Sequence, residues 1–78
     1  MFTATVRTAD DFGMILQQAR LAAGMTQREL AESLRISQKY VWEMESGKHV
    51  AAIERLLSAF KATGVSLVAE VPEGDLVG

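Results

Sequence analysis

The chain has 78 residues, and because single domains contain roughly 50 to 200 residues, it holds at most one domain and excludes a large enzyme fold. It contains no cysteine and one histidine, which excludes disulfides and leaves no set of zinc ligands, so we expect no metal and no cofactor. No apolar run approaches the roughly 20 residues of a membrane span and no secretory signal begins the chain, so we expect a cytoplasmic protein. A core of this size supplies only about 3 to 5 kcal/mol, which leaves oligomerisation as the usual source of further stability.

The charge balance is slightly acidic. Eight basic and ten acidic residues give a net charge of -2, which argues against nucleic-acid binding by bulk charge. Residues 65–78 contain three acids and no base, so the remaining 64 residues carry eight bases, seven acids and a net charge of +1. Any basic surface must therefore be local.

The first part of the chain predicts a short strand and a helix. Apolar and polar side chains alternate from Phe2 to Arg7, a pattern typical of a strand. Thr8 and Asp11 are spaced as a capping box, so a helix is expected from about Ala9 to Ala23, with Gly24 as its stop. Its predicted buried stripe consists of Phe12, Ile15, Leu16 and Ala19.

Two short helices follow, joined by a tight turn. Thr26 and Glu29 form a second capping box, and the helix that they begin should end near Leu34. Ser37 caps a third helix, expected to run from Gln38 to about Glu45. The predicted inward positions are Leu30, Ala31, Leu34, Val41 and Met44. A joint of about three residues between two such helices predicts a helix-turn-helix.

A fourth helix and a strand complete the prediction. The helix should bury Ile53, Leu56, Leu57 and Phe60 and end at Gly64. Alternating residues then predict a strand over Val65–Val71, ended by Pro72. A lone strand is not stable, so it pairs with the segment that begins at Phe2, with its copy in a second chain, or with both.

The helix-turn-helix segment resembles the XRE family of Cro and lambda-repressor type. The matching residues are Arg20, Gly24, Thr26-Gln27, Leu30-Ala31, Val41 and Glu45-Ser-Gly-Lys48. The resemblance covers about residues 9–64 and implies a mainly α fold of four to five helices that binds DNA. The domains would be an N-terminal arm or short strand over 1–8, a DNA-binding domain over 9–64, and a dimerisation strand with a mobile tail over 65–78. Many relatives have proline where this chain has His49.

The ends of the chain resemble a narrower group, the antitoxins of HipB type. The resemblance lies in Tyr40-Val-Trp-Glu43, in the length of the fourth helix and in the terminal strand Gly64-Val-Ser-Leu-Val-Ala-Glu70. It implies a homodimer that joins C-terminal strands through Val65, Leu67, Ala69 and Val71, represses its own operon and binds a kinase toxin of HipA type. Gln17, Gln18 and Leu21 of the first helix, Arg55, Ser58 and Lys61 of the fourth, and the tail with Glu73 and Asp75 would face that toxin.

The resemblance also implies where DNA would be contacted. Thr26, Gln27 and the following Arg28 lie where the family meets the phosphate backbone, although a solvated helix start would have the same residues. Gln38 and Lys39 begin the recognition helix, where glutamine can pair with adenine and lysine can reach guanine. Lys48 is a further candidate phosphate contact.

The middle of the recognition helix leaves alternatives open. Trp42 either contacts the sugar-phosphate backbone or a thymine methyl group, or packs on its own domain, and Tyr40 lies beside it. Glu43 either accepts a hydrogen bond from cytosine or repels phosphates at wrong sites.

Arg20 and Glu45 carry opposite charges at the positions of the family's mostly buried ion pair, with an ordinary surface arginine as the alternative. Arg35, Arg55, Lys61 and His49 are interpreted as solvated. No motif places a serine, a histidine and a carboxylate together and no glycine-rich phosphate loop occurs, so we do not expect an enzyme.

Three functions remain. The first is a dimeric DNA-binding repressor that is also the antitoxin of a type II toxin-antitoxin pair and binds an inverted-repeat operator in double-stranded DNA. The second is a plain phage-like or metabolic repressor with no toxin. The third is an adaptor that binds only protein, which the net charge of -2 favours.

Overall fold

The computed structural model describes residues 2–48 and 51–73, which form four helices and a two-stranded sheet. The elements in chain order are β1 (Phe2–Val6), α1 (Ala9–Ala22), α2 (Gln27–Leu34), α3 (Gln38–Glu45), α4 (Ala51–Ala62) and β2 (Leu67–Val71). The fold is mainly helical, as the sequence predicts. His49 and Asp75 lie outside the described residues, so the statements made about them stay predictions.

Side-chain caps explain where the first three helices begin. The Thr8 hydroxyl accepts a hydrogen bond from the Asp11 N–H at 3.1 Å, and the Asp11 carboxylate accepts one from the Thr8 N–H at 3.0 Å. Thr26 and Glu29 form the same reciprocal pair at the start of α2. Ser37 caps α3 with a single such bond. Each cap satisfies N–H groups that the first helical turn leaves without an intrahelical partner.

The core lies where α3 packs against α1 and α2 and where α1 packs against the sheet. Val41 of α3 is at its centre with 0% of its surface exposed. The other buried apolar residues are Val6, Ala9, Ala31, Leu57 and Val71. Helices α1 and α3 approach so closely at Gly13 that a Cβ atom there would lie 2.7 Å from the carbonyl oxygen of Met44. Sequence reasoning passed over Gly13, whose lack of a side chain permits this crossing.

The two strands pair with each other in an antiparallel sheet. Phe2 lies opposite Val71 and Val6 opposite Leu67, so alternate residues share one face. Val6 and Val71 are buried on that face, whereas Val68 is 60% exposed on the other. Of the pairing alternatives, pairing within the chain is therefore present, and β2 has a second edge that no other described strand occupies. The strand begins at Leu67, two residues later than predicted.

The predicted apolar stripe of α4 is only partly buried. Leu57 is buried and Phe60 half-buried, but Leu56 is 54% exposed and Ile53 is exposed as well. The reason is that α1 packs on both α3 and the sheet, whereas α4 makes fewer contacts with the other described elements. The periodicity identifies the most apolar face of a helix but not whether another element covers it.

Two further residues that the sequence predicts to be buried are not buried. Phe12 and Leu34 are exposed. In α1 the buried position that meets α3 is Gly13, next to Phe12, whereas the predicted Ile15, Leu16 and Ala19 are half-buried. In α2 the short side chain of Ala31 takes the buried position, and Leu34 at the end of the helix points outward.

Candidate nucleic-acid interface

Helices α2 and α3 are joined by three residues, 35–37. Arg35 has φ 58° and ψ 43°, the left-handed conformation in which a helix commonly ends. The backbone N–H of Ile36 donates to the carbonyl of Ala31 at 3.0 Å, which closes the turn. Arg35 is thus the residue that allows the chain to reverse between the two helices, a role that its interpretation as a solvated charge did not include.

One side of α3 is buried and the other is open. Val41 is fully buried and the Glu45 side chain is 5% exposed, whereas Gln38 and Lys39 are exposed at the beginning of the helix. Trp42 is 47% exposed and lies one turn beyond Gln38. Residues three and four apart are neighbours on a helix surface, so Gln38, Lys39 and Trp42 belong to the same side. Tyr40, also exposed, borders this side, and Glu43 on it is half-buried.

The beginning of α2 lies near the end of α3. The Gln27 side-chain Nε2 donates a hydrogen bond to Glu45 Oε1 at 3.1 Å, and this contact orients the amide. Nε2 carries two hydrogens, so one remains for a further acceptor. Arg28 is exposed and lies 3.7 Å from Glu32 in a pair four residues apart on the same helix. Such an exposed pair contributes about 0.3 to 0.5 kcal/mol, so a phosphate can displace its carboxylate.

A buried ion pair connects these helices to α1. Arg20 Nε lies 2.6 Å from Glu45 Oε2, and the two side chains are 8% and 5% exposed. Arg20 also donates to the carbonyl of Met25 at 2.9 Å, just before α2. Burial alone would raise the pKa of the Glu45 carboxyl, but hydrogen bonds from Arg20 and Gln27 outweigh it and lower the pKa. The hydrogen bond to Glu45 raises the pKa of Arg20.

The residues after α3 place a lysine against the exposed indole. Gly47 has φ 75° and supplies the left-handed stop of the helix. The backbone N–H of Lys48 donates to the carbonyl of Glu43 at 2.9 Å. The Lys48 ammonium then lies 4.7 Å from the centre of the Trp42 ring, within the range of a cation–π interaction.

The candidate DNA contacts therefore lie along one helix and at its two ends. Gln38 and Lys39 mark the beginning of α3, while Gln27 and Lys48 lie near its end. The residues suggested for dimerisation, Val65 and those of β2, lie on other elements. Within 2–48 and 51–73, no cluster of histidine, aspartate and glutamate could ligate a metal ion, and none of the described helices is long and apolar enough to cross a membrane.

Comparison with known proteins assigns this arrangement to a family. The sequence profile of the helix-turn-helix domain matches residues 11–71, which include all of α2, α3, α4 and β2. The chain belongs to the helix-turn-helix domain family. Comparisons with curated proteins and with solved structures gave no match. Helix-turn-helix proteins place their second helix in the major groove of DNA, so this chain is a DNA-binding regulator.

Proposed function

We propose that the protein is a sequence-specific transcriptional repressor in which α3 reads the operator. The observation that carries this proposal is the division of α3, which buries Val41 against the domain and presents Gln38 and Lys39 at its beginning. The beginning of a recognition helix is the part that contacts base edges. Gln38 would pair with adenine and Lys39 would reach the O6 and N7 atoms of guanine.

The phosphate contacts would come from the two ends of the helix pair. Thr26 caps α2, and Gln27 and Arg28 are its first residues, where backbone N–H groups and the helix dipole favour an anion. The hydrogen bond from Gln27 to Glu45 fixes the amide of Gln27 before DNA arrives. Lys48 follows α3 and would meet a second phosphate. Such contacts fix the register of the protein on the duplex without carrying sequence information.

Tyr40 and Glu43 would border the contacted bases. Glu43 lies on the same side of α3 as Lys39, where its carboxylate would accept from the N4 amine of cytosine or reject sites that bring a phosphate close. In this proposal residues 9–64 form the DNA-binding domain and 1–8 an arm that pairs with β2.

The proposed repressor is a homodimer. Pairing between β1 and β2 means that β2 no longer needs a second chain to be stable, so the proposal rests on other observations. No other described strand occupies the second edge of β2. Val68 is exposed in β2, Val65 is exposed just before it, and Leu56 is exposed on the preceding helix α4. Antiparallel pairing of β2 with its copy would use that edge and give a two-fold dimer. Removing residues from 65 onward should then give a monomer that binds its operator weakly.

The antitoxin role rests on the resemblance to HipB-type proteins. A toxin that binds together with DNA needs a surface away from α3. Gln17, Gln18 and Leu21 on α1 are exposed, and so are Arg55, Ser58 and Lys61 on α4. In this proposal these two helix faces would bind a kinase toxin of HipA type while α3 contacts DNA. Charge reversal at Arg55 and Lys61 should weaken toxin binding and leave operator binding unchanged, and a toxin that competes with operator DNA would contradict this surface.

The net charge of -2 favours the remaining candidate, an adaptor that binds only protein. Selection of a duplex from a random DNA pool, followed by footprinting, separates the functions. The repressor should select an inverted repeat with half-site centres about 34 Å apart, because a two-fold dimer presents two copies of α3. An adaptor would select nothing. A toxin gene next to this one would distinguish the antitoxin from a plain repressor.

A further inference from the structure

The exposed indole of Trp42 makes a specific contact with a cation. Trp42 is the protein's single tryptophan and is 47% exposed. The Lys48 ammonium lies 4.7 Å from the centre of its ring. About half of the Trp42 surface remains exposed, so burial alone does not explain the position of the ring, and the contact with Lys48 is a specific interaction that the ring makes.

Lys48 is fixed from its backbone as well as from its side chain. Its N–H donates to the carbonyl of Glu43 at 2.9 Å, and the N–H of Gly47 donates to the carbonyl of Met44 at 3.2 Å. These two bonds form a Schellman motif, which ends α3 in a defined geometry. Ser46 adds a hydrogen bond from its hydroxyl to the carbonyl of Trp42 at 2.8 Å. The backbone that carries Lys48 is thereby tied to the turn that carries Trp42.

The contact between Trp42 and Lys48 should favour phosphate binding by the lysine. A lysine that moves freely loses side-chain entropy when it binds a phosphate, and a lysine already placed on a ring loses less. The ring face can take at most one N–H of the ammonium, so at least two of its three N–H groups remain available to phosphate oxygens. Because Trp42 lies on the same side of α3 as Gln38, the ammonium is held beside the surface proposed to enter the major groove.

We propose that Trp42 is a positioning residue that holds the Lys48 ammonium as a phosphate clamp at the end of α3. This inference rests on the proposed DNA binding. It also chooses among the interpretations of Trp42, because the indole then acts through Lys48 and does not read a thymine methyl group.

The test is binding of the 78-residue chain to a random-sequence duplex over a series of salt concentrations, because sequence-specific contacts do not contribute to that binding. Lys48→Ala should lower the slope of log affinity against log salt by about one, because one phosphate contact is lost. Trp42→Leu should weaken binding about two- to five-fold and leave the slope near the wild-type value, because Lys48 still neutralises its phosphate but loses more side-chain freedom on binding. Trp42→Phe should retain most of the wild-type affinity because it keeps a ring. Lys61→Ala on α4 is the matched lysine control and should change neither value.

The decisive result is the double variant Trp42→Leu/Lys48→Ala. It should bind no more weakly than Lys48→Ala alone, because Trp42 acts only through the lysine. Additive losses in the double variant, or an unchanged affinity in Trp42→Leu, would overturn the inference while leaving DNA binding intact. A wild type that binds no duplex at low salt would overturn both proposals.

The emission of Trp42 gives a second readout that requires no DNA. Lys48→Ala should change this emission, and Lys61→Ala should not. Identical emission spectra for the wild type and Lys48→Ala would contradict the contact itself. Circular dichroism of each variant should show the wild-type helix content, so that a loss of folding is not mistaken for a loss of positioning.

Discussion

Arg20 and Glu45 join the first and third helices through a two-point contact, with Nε 2.6 Å from Oε2 and Nη2 3.1 Å from Oε1. The fork of the guanidinium matches the two carboxylate oxygens, a geometry that lysine cannot reproduce. Glu45 also accepts a hydrogen bond from Gln27, so one carboxylate connects α1, α2 and α3. The orientation of the recognition helix therefore depends on a charge pair that is almost entirely shielded from water.

Removal of either partner should be strongly destabilising. Arg20→Met or Glu45→Met leaves an uncompensated charge in a shielded position, which costs about 3 to 5 kcal/mol of unfolding free energy. The double variant Arg20→Met/Glu45→Met removes both charges and should be more stable than either single variant. Urea denaturation measures all three. If the loss in the double variant equals the sum of the single losses, the pair is not coupled as described.

The same carboxylate should make stability depend on pH. The pKa of Glu45 is lower in the folded protein than its ordinary value of 4.5, so its contribution is present above pH 4.5 and is lost as the pH falls through the folded pKa. The pKa values of Asp11 and Glu29 are also lowered, chiefly by hydrogen bonds from the backbone N–H groups of Arg7 and Thr26. Urea midpoints below pH 4.5 should therefore fall with pH, and fall less in Glu45→Gln. Ser58→Ala on the exposed surface of α4 changes no ionisable group and is the control, which should keep the wild-type profile.

Local signals in the sequence were sufficient for most of the helix boundaries. Thr8, Thr26 and Ser37 act as caps, and Gly24 and Gly47 adopt positive φ at helix ends, because these effects depend on residues only a few positions apart. The ion pair of Arg20 and Glu45 could be predicted only from the family resemblance, because a spacing of 25 residues does not by itself show that two charges meet.

Packing between elements could not be predicted in the same way. Leu56 and Ile53 satisfy the periodicity of a buried stripe and are nevertheless exposed, because burial depends on what lies opposite a helix. Gly13 was not predicted to be buried, because a glycine has no apolar side chain and does not contribute to an apolar stripe. It nevertheless lies where α1 and α3 approach closely. The left-handed turn at Arg35 was also missed, because no glycine or asparagine marks it.

Gly13→Ala tests the helix crossing. Alanine in place of glycine ordinarily stabilises a helix by about 1 kcal/mol. Here the added methyl group would meet the backbone of Met44 and Glu45, so we expect a loss of about 1 to 3 kcal/mol from overpacking, measured by thermal or urea unfolding. Ser58→Ala on the exposed side of α4 serves as the control and should be neutral or slightly stabilising. A stabilised Gly13→Ala protein would show that the two helices are not so close.

Arg35→Gly tests the turn between α2 and α3. The left-handed conformation costs a residue other than glycine about 1 to 2 kcal/mol. Glycine removes this cost, but its greater conformational entropy in the unfolded chain offsets part of the gain. The variant should therefore be stabilised by about 0.5 to 1 kcal/mol. Arg55→Gly within α4 is the matched control and should be destabilised by about 1 kcal/mol. Equal destabilisation of both variants would mean that Arg35 is not left-handed in solution.

The central claim is that the open side of α3 reads DNA. Its most direct test compares the wild type with Gln38→Ala and Lys39→Ala. The affinity of each protein is measured for a selected operator and for single-base variants of that operator. We predict that each substitution weakens operator binding by about 1 to 3 kcal/mol and removes the preference for one or two bases, while binding to random-sequence DNA changes little. Ser58→Ala, distant on α4, should leave both affinities unchanged. If both α3 variants bind the operator and its base variants as the wild type does, α3 does not read the operator and the account is wrong.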